Sequence, residues 1–146
     1  MIVLDASALV DAVLDQPTVG WVLDEIADGE VCAPAHQPAE VLSTLARLVR
    51  AAQVDLESAR DALDEARALP QRFVAPTARH VRLAFALRDR IRVVGGLYVA
   101  LADELDCPLV TTDRRLAVAD APCEIRVPPA PPSHPSDVPV PSPRTW

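Results

Sequence analysis

Ile2-Val3-Leu4-Asp5-Ala6-Ser7-Ala8-Leu9-Val10 decides how the rest of the chain is read. Three consecutive apolar residues suit a short buried strand, the run stops at an acid, and Ala8, Leu9, Ala12 and Val13 then recur at helical spacing. The same order of strand, acid and helix returns late in the chain, in Pro108-Leu109-Val110-Thr111-Thr112-Asp113 followed by a helix-like Arg114 to Val118. Val31-Cys32-Ala33, Phe73-Val74 and Glu124-Ile125-Arg126 are further strand candidates. Helical patterns fill the gaps: Thr18 to Ala27, an amphipathic stretch through Glu40 and Val49, and Asp55 to Leu69 with Leu56, Leu63 and Leu69 facing inward. Thr77 to Arg88 follows with Val81, Ala84, Phe85 and Leu87 on its apolar positions, and Gly95-Gly96 opens a last long helix, Leu97 to Leu105. Strands alternating with helices, without two-residue hairpin loops, predict an α/β fold with a parallel, doubly wound sheet.

The chain has 146 residues, enough for one domain with a real core. Half of it is apolar but only 3% is aromatic, so that core has to be built from Ala, Leu and Val. The formal charge is -7, and all 14 basic residues are Arg. An acidic surface repels phosphate, which argues against a general nucleic-acid coat protein and leaves local Arg groups or bound cations to hold any nucleic acid. Cys32, Cys107 and Cys123 show neither C-x-x-C spacing nor a His at zinc-finger distance, so they read as small buried residues of a reduced compartment. No basic stretch precedes a long apolar run, and none approaches the roughly 18 residues of a membrane span, so the expectation is a soluble, cytoplasmic protein with no membrane association. Beyond Val127 the composition changes: 8 of the last 19 residues are Pro. Residues 1–127 are therefore expected to form the domain, with 128–146 a disordered or extended tail.

Asp5 and Asp113 follow the first and fourth strands, on the carboxyl edge where open parallel sheets place their ligands. Each has a plainer reading as a helix N-cap, and Glu40, near the start of its helix after Pro38-Ala39, has one as a partner of the helix dipole. Taken together the three acids are the hard oxygen donors that Mg²⁺ or Mn²⁺ prefers. No glycine-rich phosphate loop, activated Ser or Cys nucleophile, or zinc quartet is present.

Four phrases carry a resemblance: Val3-Leu4-Asp5-Ala6-Ser7-Ala8-Leu9-Val10, Pro38-Ala39-Glu40-Val41-Leu42, Leu97-Tyr98-Val99-Ala100-Leu101-Ala102 and Pro108 to Ala117. In that order they resemble the signature stretches of the VapC-like toxins of the PIN-domain family, over about residues 1–127. The resemblance implies a PIN-like three-layer sandwich, a small parallel sheet flanked by helices. It also implies a magnesium-dependent endoribonuclease toxin, with RNA as substrate, an antitoxin as partner and a homodimeric state. Asp5, Glu40 and Asp113 fall on three of the family's four site acids and would act as metal ligands and activators of water. The fourth acid precedes the Leu-Tyr-Val-Ala-Leu-Ala phrase by two positions in that family, and here Gly95 stands there. Asp103, about 12 Å further along the helix and some 80° around it, cannot take its place.

Gly95-Gly96 has two readings of its own, a phosphate cradle at a helix start or a flexible start to the helix. Thr112, Arg114 and Arg115 are candidate substrate contacts, and Arg88, Arg90 and Arg92, just before the Gly95-Gly96 pair, are further arginines that could contact phosphates. His36 precedes Glu40 by one helical turn and reads as a surface or cap residue. Two functions remain open: a working ribonuclease, or a degenerate PIN domain that binds antitoxin or RNA without cutting.

Overall fold

The computed structural model describes residues 1–131. In chain order it has β1 (Ile2–Leu4), α1 (Ala6–Val13), α2 (Val19–Ile26), β2 (Val31–Pro34), α3 (Gln37–Arg50) and α4 (Leu56–Ala68). These are followed by β3 (Arg72–Val74), α5 (Ala78–Ala86), α6 (Val93–Leu105), β4 (Leu109–Val110), α7 (Arg114–Ala117) and β5 (Ile125–Arg126). The strands form one sheet in the order β3-β2-β1-β4-β5, and every pairing is parallel. The chain runs outward from β1 to β3, then crosses back to β4 on the other side of β1. The strand order therefore reverses between β1 and β4, the place where such sheets open a crevice at their carboxyl edge.

The sheet is short and its centre is wholly apolar. Val3, Leu4, Leu109 and Val110 have no measurable exposure, as expected of parallel strands covered on both faces. Helices α1, α3 and α4 pack on one another as one layer, while α6 packs on β1, β2 and β4 and against α5. The buried stretch Tyr98-Val99-Ala100-Leu101-Ala102 makes α6 the central helix.

Three readings need correction. The inward face of α4 is Ala59, Ala62 and Ala66, and Leu56 is 54% exposed, because small residues let the helix lie close. On α5, Ala84 is buried while Val81 and Phe85 are exposed. The glycine pair does not open α6 but sits inside its first turn, which starts at Val93. Gly96 is there for contact: a Cβ on it would lie 2.9 Å from the Ala84 Cα and 3.0 Å from the Ala84 Cβ, so α5 and α6 meet backbone to backbone. Past Val127, Pro128 is buried and the Pro129 carbonyl accepts a bond from Arg114. The rest of the Pro-rich tail, 132–146, lies outside the described residues.

Candidate functional site

Asp5, Glu40, Gly95 and Asp113 all line one cleft of about 640 Å³ at the carboxyl edge of the sheet. Asp5 follows the last residue of β1 and occupies the N-cap position of α1, yet its side chain caps nothing. Its Oδ2 instead accepts from the Ser7 hydroxyl at 2.7 Å and from the Thr111 hydroxyl at 2.6 Å. Those hydroxyls are oriented in turn by the backbone beyond β4: the Thr112 N–H donates to Ser7 Oγ and the Asp113 N–H to Thr111 Oγ1. Asp5 is 8% exposed. Burial pushes its pKa up, with the Glu40 charge adding to the rise, and the two hydroxyl bonds offset part of it.

Glu40 lies in the first turn of α3 and is about one-third exposed. The buried Tyr98 of α6 donates its hydroxyl to Glu40 Oε1 at 2.7 Å. Burial first, then that bond and the two nearby carboxylates, drive the Tyr98 pKa far above the ordinary phenol range, so it stays a donor. His36, at the N-cap of α3, sets its ring edge-on to Tyr98 at 5.2 Å. Its Nε2 is 3.1 Å from Glu40 Oε1 but out of line, and among the described residues neither ring nitrogen has a hydrogen-bond partner. The position is that of a wedge behind Glu40.

Asp113 is held differently. As N-cap of α7 it accepts the Arg115 N–H at 3.0 Å, and both its oxygens also take the Arg115 guanidinium, at 2.9 and 2.8 Å. That pairing keeps its pKa below the usual carboxylate value. The cap reading thus holds for Asp113 and fails for Asp5.

Of the candidate substrate contacts, Thr112 and Arg115 line the cleft and Arg114 does not, since its guanidinium is turned to Pro129. The threonine that reaches a site acid is Thr111, not Thr112. Arg88 stacks over Phe85 and Arg90 binds Asp120, which leaves Arg92 and Arg115 of these five arginines on the cleft. Ser7, Thr111 and Tyr98 were not singled out from the sequence as holders of the acids. Tyr98 and Ser7 sat inside the quoted phrases, but bonds between residues so far apart in the chain leave no local pattern.

No group of three or more His, Cys, Asp or Glu among the described residues is already gathered as a metal site. The donors nonetheless suit a hard divalent ion, because Asp5 and Glu40 each keep an oxygen outside the side-chain bonds given above. Asp113 would have to release Arg115, which is 78% exposed and so held loosely. A Cβ at Gly95 would meet side chains and no backbone, Ile91 Cγ2 at 3.3 Å and Leu116 Cδ2 at 3.8 Å, so a side chain there requires Ile91 to give by a few tenths of an ångström. Among the described residues no helix is long and apolar enough to cross a membrane.

Comparison with known proteins gives a consistent result. A family profile described as "PIN domain" matches residues 2–122. Ribonuclease VapC1 of Mycobacterium tuberculosis is 37% identical over 127 residues, covering 86% of this chain and 96% of its own. Ribonuclease VapC3 of the same species is 37% identical over 124 residues, covering 81% and 86%. Among solved structures, VapBC2 of Rickettsia felis bound to a promoter DNA fragment superposes with a TM-score of 0.64 at 16% identity, covering 87% of this chain and 98% of that one. The Mycobacterium tuberculosis toxin VapC20, described as cleaving the sarcin-ricin loop, gives 0.60 at 16% identity, covering 83% and 96%.

Proposed function

This chain belongs to the PIN-domain family, and on that premise we propose that it is a metal-dependent endoribonuclease, the toxin of a toxin–antitoxin pair. The observation that carries the reading is the convergence of Asp5, Glu40 and Asp113 on one cleft from β1, α3 and the end of β4. The names of curated relatives such as VapC1 and VapC3, both called ribonucleases, support RNA as the substrate.

Asp5, Glu40 and Asp113 would hold Mg²⁺ or Mn²⁺, which when bound supplies acidification of a water molecule and neutralisation of phosphodiester charge. Ser7 and Thr111 hold the Asp5 carboxylate in orientation for that purpose, and the Tyr98 hydroxyl orients Glu40. Thr112, Arg92 and Arg115 stand where they can meet the phosphate. An antitoxin segment finds support in an apolar groove of about 680 Å³ between α3, α4 and β3, lined by Pro38, Val41, Leu42, Leu63 and Phe73. Homodimerisation finds support in Val81 and Phe85, exposed one turn apart on α5.

A second reading, a PIN domain that binds RNA or antitoxin without cutting, is favoured by two features: Gly95 offers no carboxylate and Arg115 holds both oxygens of Asp113. Cleavage of labelled total RNA with Mg²⁺, Mn²⁺ or EDTA, beside Asp5→Asn, separates the two. Discrete metal-dependent products, absent from the variant, are expected. A folded protein that binds RNA and cuts none would establish the second reading.

A further inference from the structure

The cleft does not end at the carboxylates. It continues between α1 and α3 to Asp11, Gln16, Thr44, Arg47 and Gln53. Glu40, Thr44 and Arg47 occupy one face of α3, because seven residues turn a helix almost through two full circles and advance it about 10 Å. Arg47 thus stands on the same wall as Glu40, far enough along for a neighbouring nucleotide. It forms no ion pair or side-chain hydrogen bond among the described residues, although acids outnumber bases in the chain.

Two glutamines face this arm, and they arrive there in the same way. Helices α1 and α3 each end in a left-handed residue that is not glycine, Asp15 at φ 51° and Ala52 at φ 54°. In each case the next residue is the glutamine, with its N–H folded back onto the helix: Gln16 onto the Asp11 carbonyl and Gln53 onto the Leu48 carbonyl, both at 2.9 Å. An alanine in this conformation is unfavourable, and such backbone is found where position matters. Apart from one bond of 3.3 Å from the Gln16 amide to the Leu14 carbonyl, the two side chains make no hydrogen bond among the described residues.

We propose that Arg47, Gln16 and Gln53 form a nucleotide subsite beside the carboxylates, with Arg47 on a phosphate and the glutamine amides on a base edge. The subsite rests on the ribonuclease reading above and gives it a source of sequence preference. A phosphate is what an unpaired guanidinium on a carboxylate-lined cleft wall would select. A carboxamide offers both a donor and an acceptor, which is what reading an unstacked base requires.

The test measures binding of short fluorescein-labelled oligo(A), oligo(C) and oligo(U) RNAs to the full chain in an Asp5→Asn background, and cleavage of RNA in the unaltered background. Arg47→Ala should weaken binding about tenfold and lower the dependence of log affinity on log salt by about 1. Arg47→Lys should restore the salt dependence, and Arg50→Ala, on the same helix but off the cleft, should change neither. Gln16→Ala and Gln53→Ala should keep the salt dependence and flatten the preference among the three RNAs. If Arg47→Ala matches Arg50→Ala while RNA is still bound and cut, the subsite is wrong and the ribonuclease reading stands. Unchanged base preference in both glutamine variants overturns the base-reading role. A chain that neither binds nor cuts any RNA overturns both readings.

Discussion

Asp5 and Asp113 stand beyond the carboxyl ends of adjacent strands, β1 and β4, yet their surroundings push them in opposite directions. Asp5 is buried, has no counter-cation among the described residues, and is kept in place by two hydroxyls. Asp113 is partly open to water and held by one exposed arginine. Burial raises the first pKa and the Arg115 bond lowers the second. The lesson is that one topological position provides a carboxylate but does not set its charge; the neighbours do that.

The largest expected effect of breaking this contrast comes from Asp5→Asn. Loss of a partner behind a metal ligand commonly costs ~10–100-fold, so loss of the ligand itself should cost at least ~100-fold in RNA cleavage. The same variant should melt higher than the unaltered chain in EDTA at neutral pH, because a neutral amide escapes the burial penalty that raises the Asp5 pKa and that the two hydroxyl bonds offset only in part. A lower melting temperature would show that Asp5 is well paid for by Ser7 and Thr111.

Denaturation in EDTA across pH sharpens the contrast further. The unfolded chain titrates its Asp groups near 3.8. Asp5 holds its proton to higher pH when folded, so its contribution is fully present below 3.8 and lost as pH rises through its folded value. Asp113 does the reverse: its contribution is present above 3.8 and lost as pH falls through its lower folded value. Asp5→Asn should therefore flatten the stability profile above 3.8, and Asp113→Asn should flatten it below.

Gly95→Asp places a carboxylate on the Asp113 side of the cleft and should raise Mn²⁺ affinity, read by calorimetry, about tenfold. Unchanged affinity would remove position 95 from the site. Arg115→Gln should have the smallest effect, a few-fold gain in Mn²⁺ affinity as Asp113 is freed, since an exposed pair is weak. Any loss of affinity would mean that Arg115 orients Asp113 rather than competing for it.

The alternating order of strands and helices, and the acids that end the first and fourth strands, were legible because a parallel strand buried on both faces must be an apolar run with a sharp end. Glu40 was legible only in company, since one acid in a first helical turn is ordinary. What periodicity could not supply was which apolar residues find a cover. Leu56, Val81 and Phe85 hold helical spacing and face solvent, because the small residues Ala59, Ala62, Ala66 and Ala84 take the close contacts. Nor could local pattern show Gly96 as a helix-crossing point, because Ala84 meets it from another helix.

Gln37 was passed over in the sequence and is 1% exposed. Its amide donates to the Leu4 carbonyl at 2.8 Å and to Gln71 Oε1 at 2.9 Å. Leu4 immediately precedes Asp5, and Gln37 stands one helical turn ahead of Glu40. The amide is therefore a tie-bar between the backbones that carry these two acids. One jaw of the cleft is clamped from behind, and a guest of unexpected size has to be accommodated by the other, where the Asp113 carboxylate is fastened to one backbone N–H and to a side chain that water can reach.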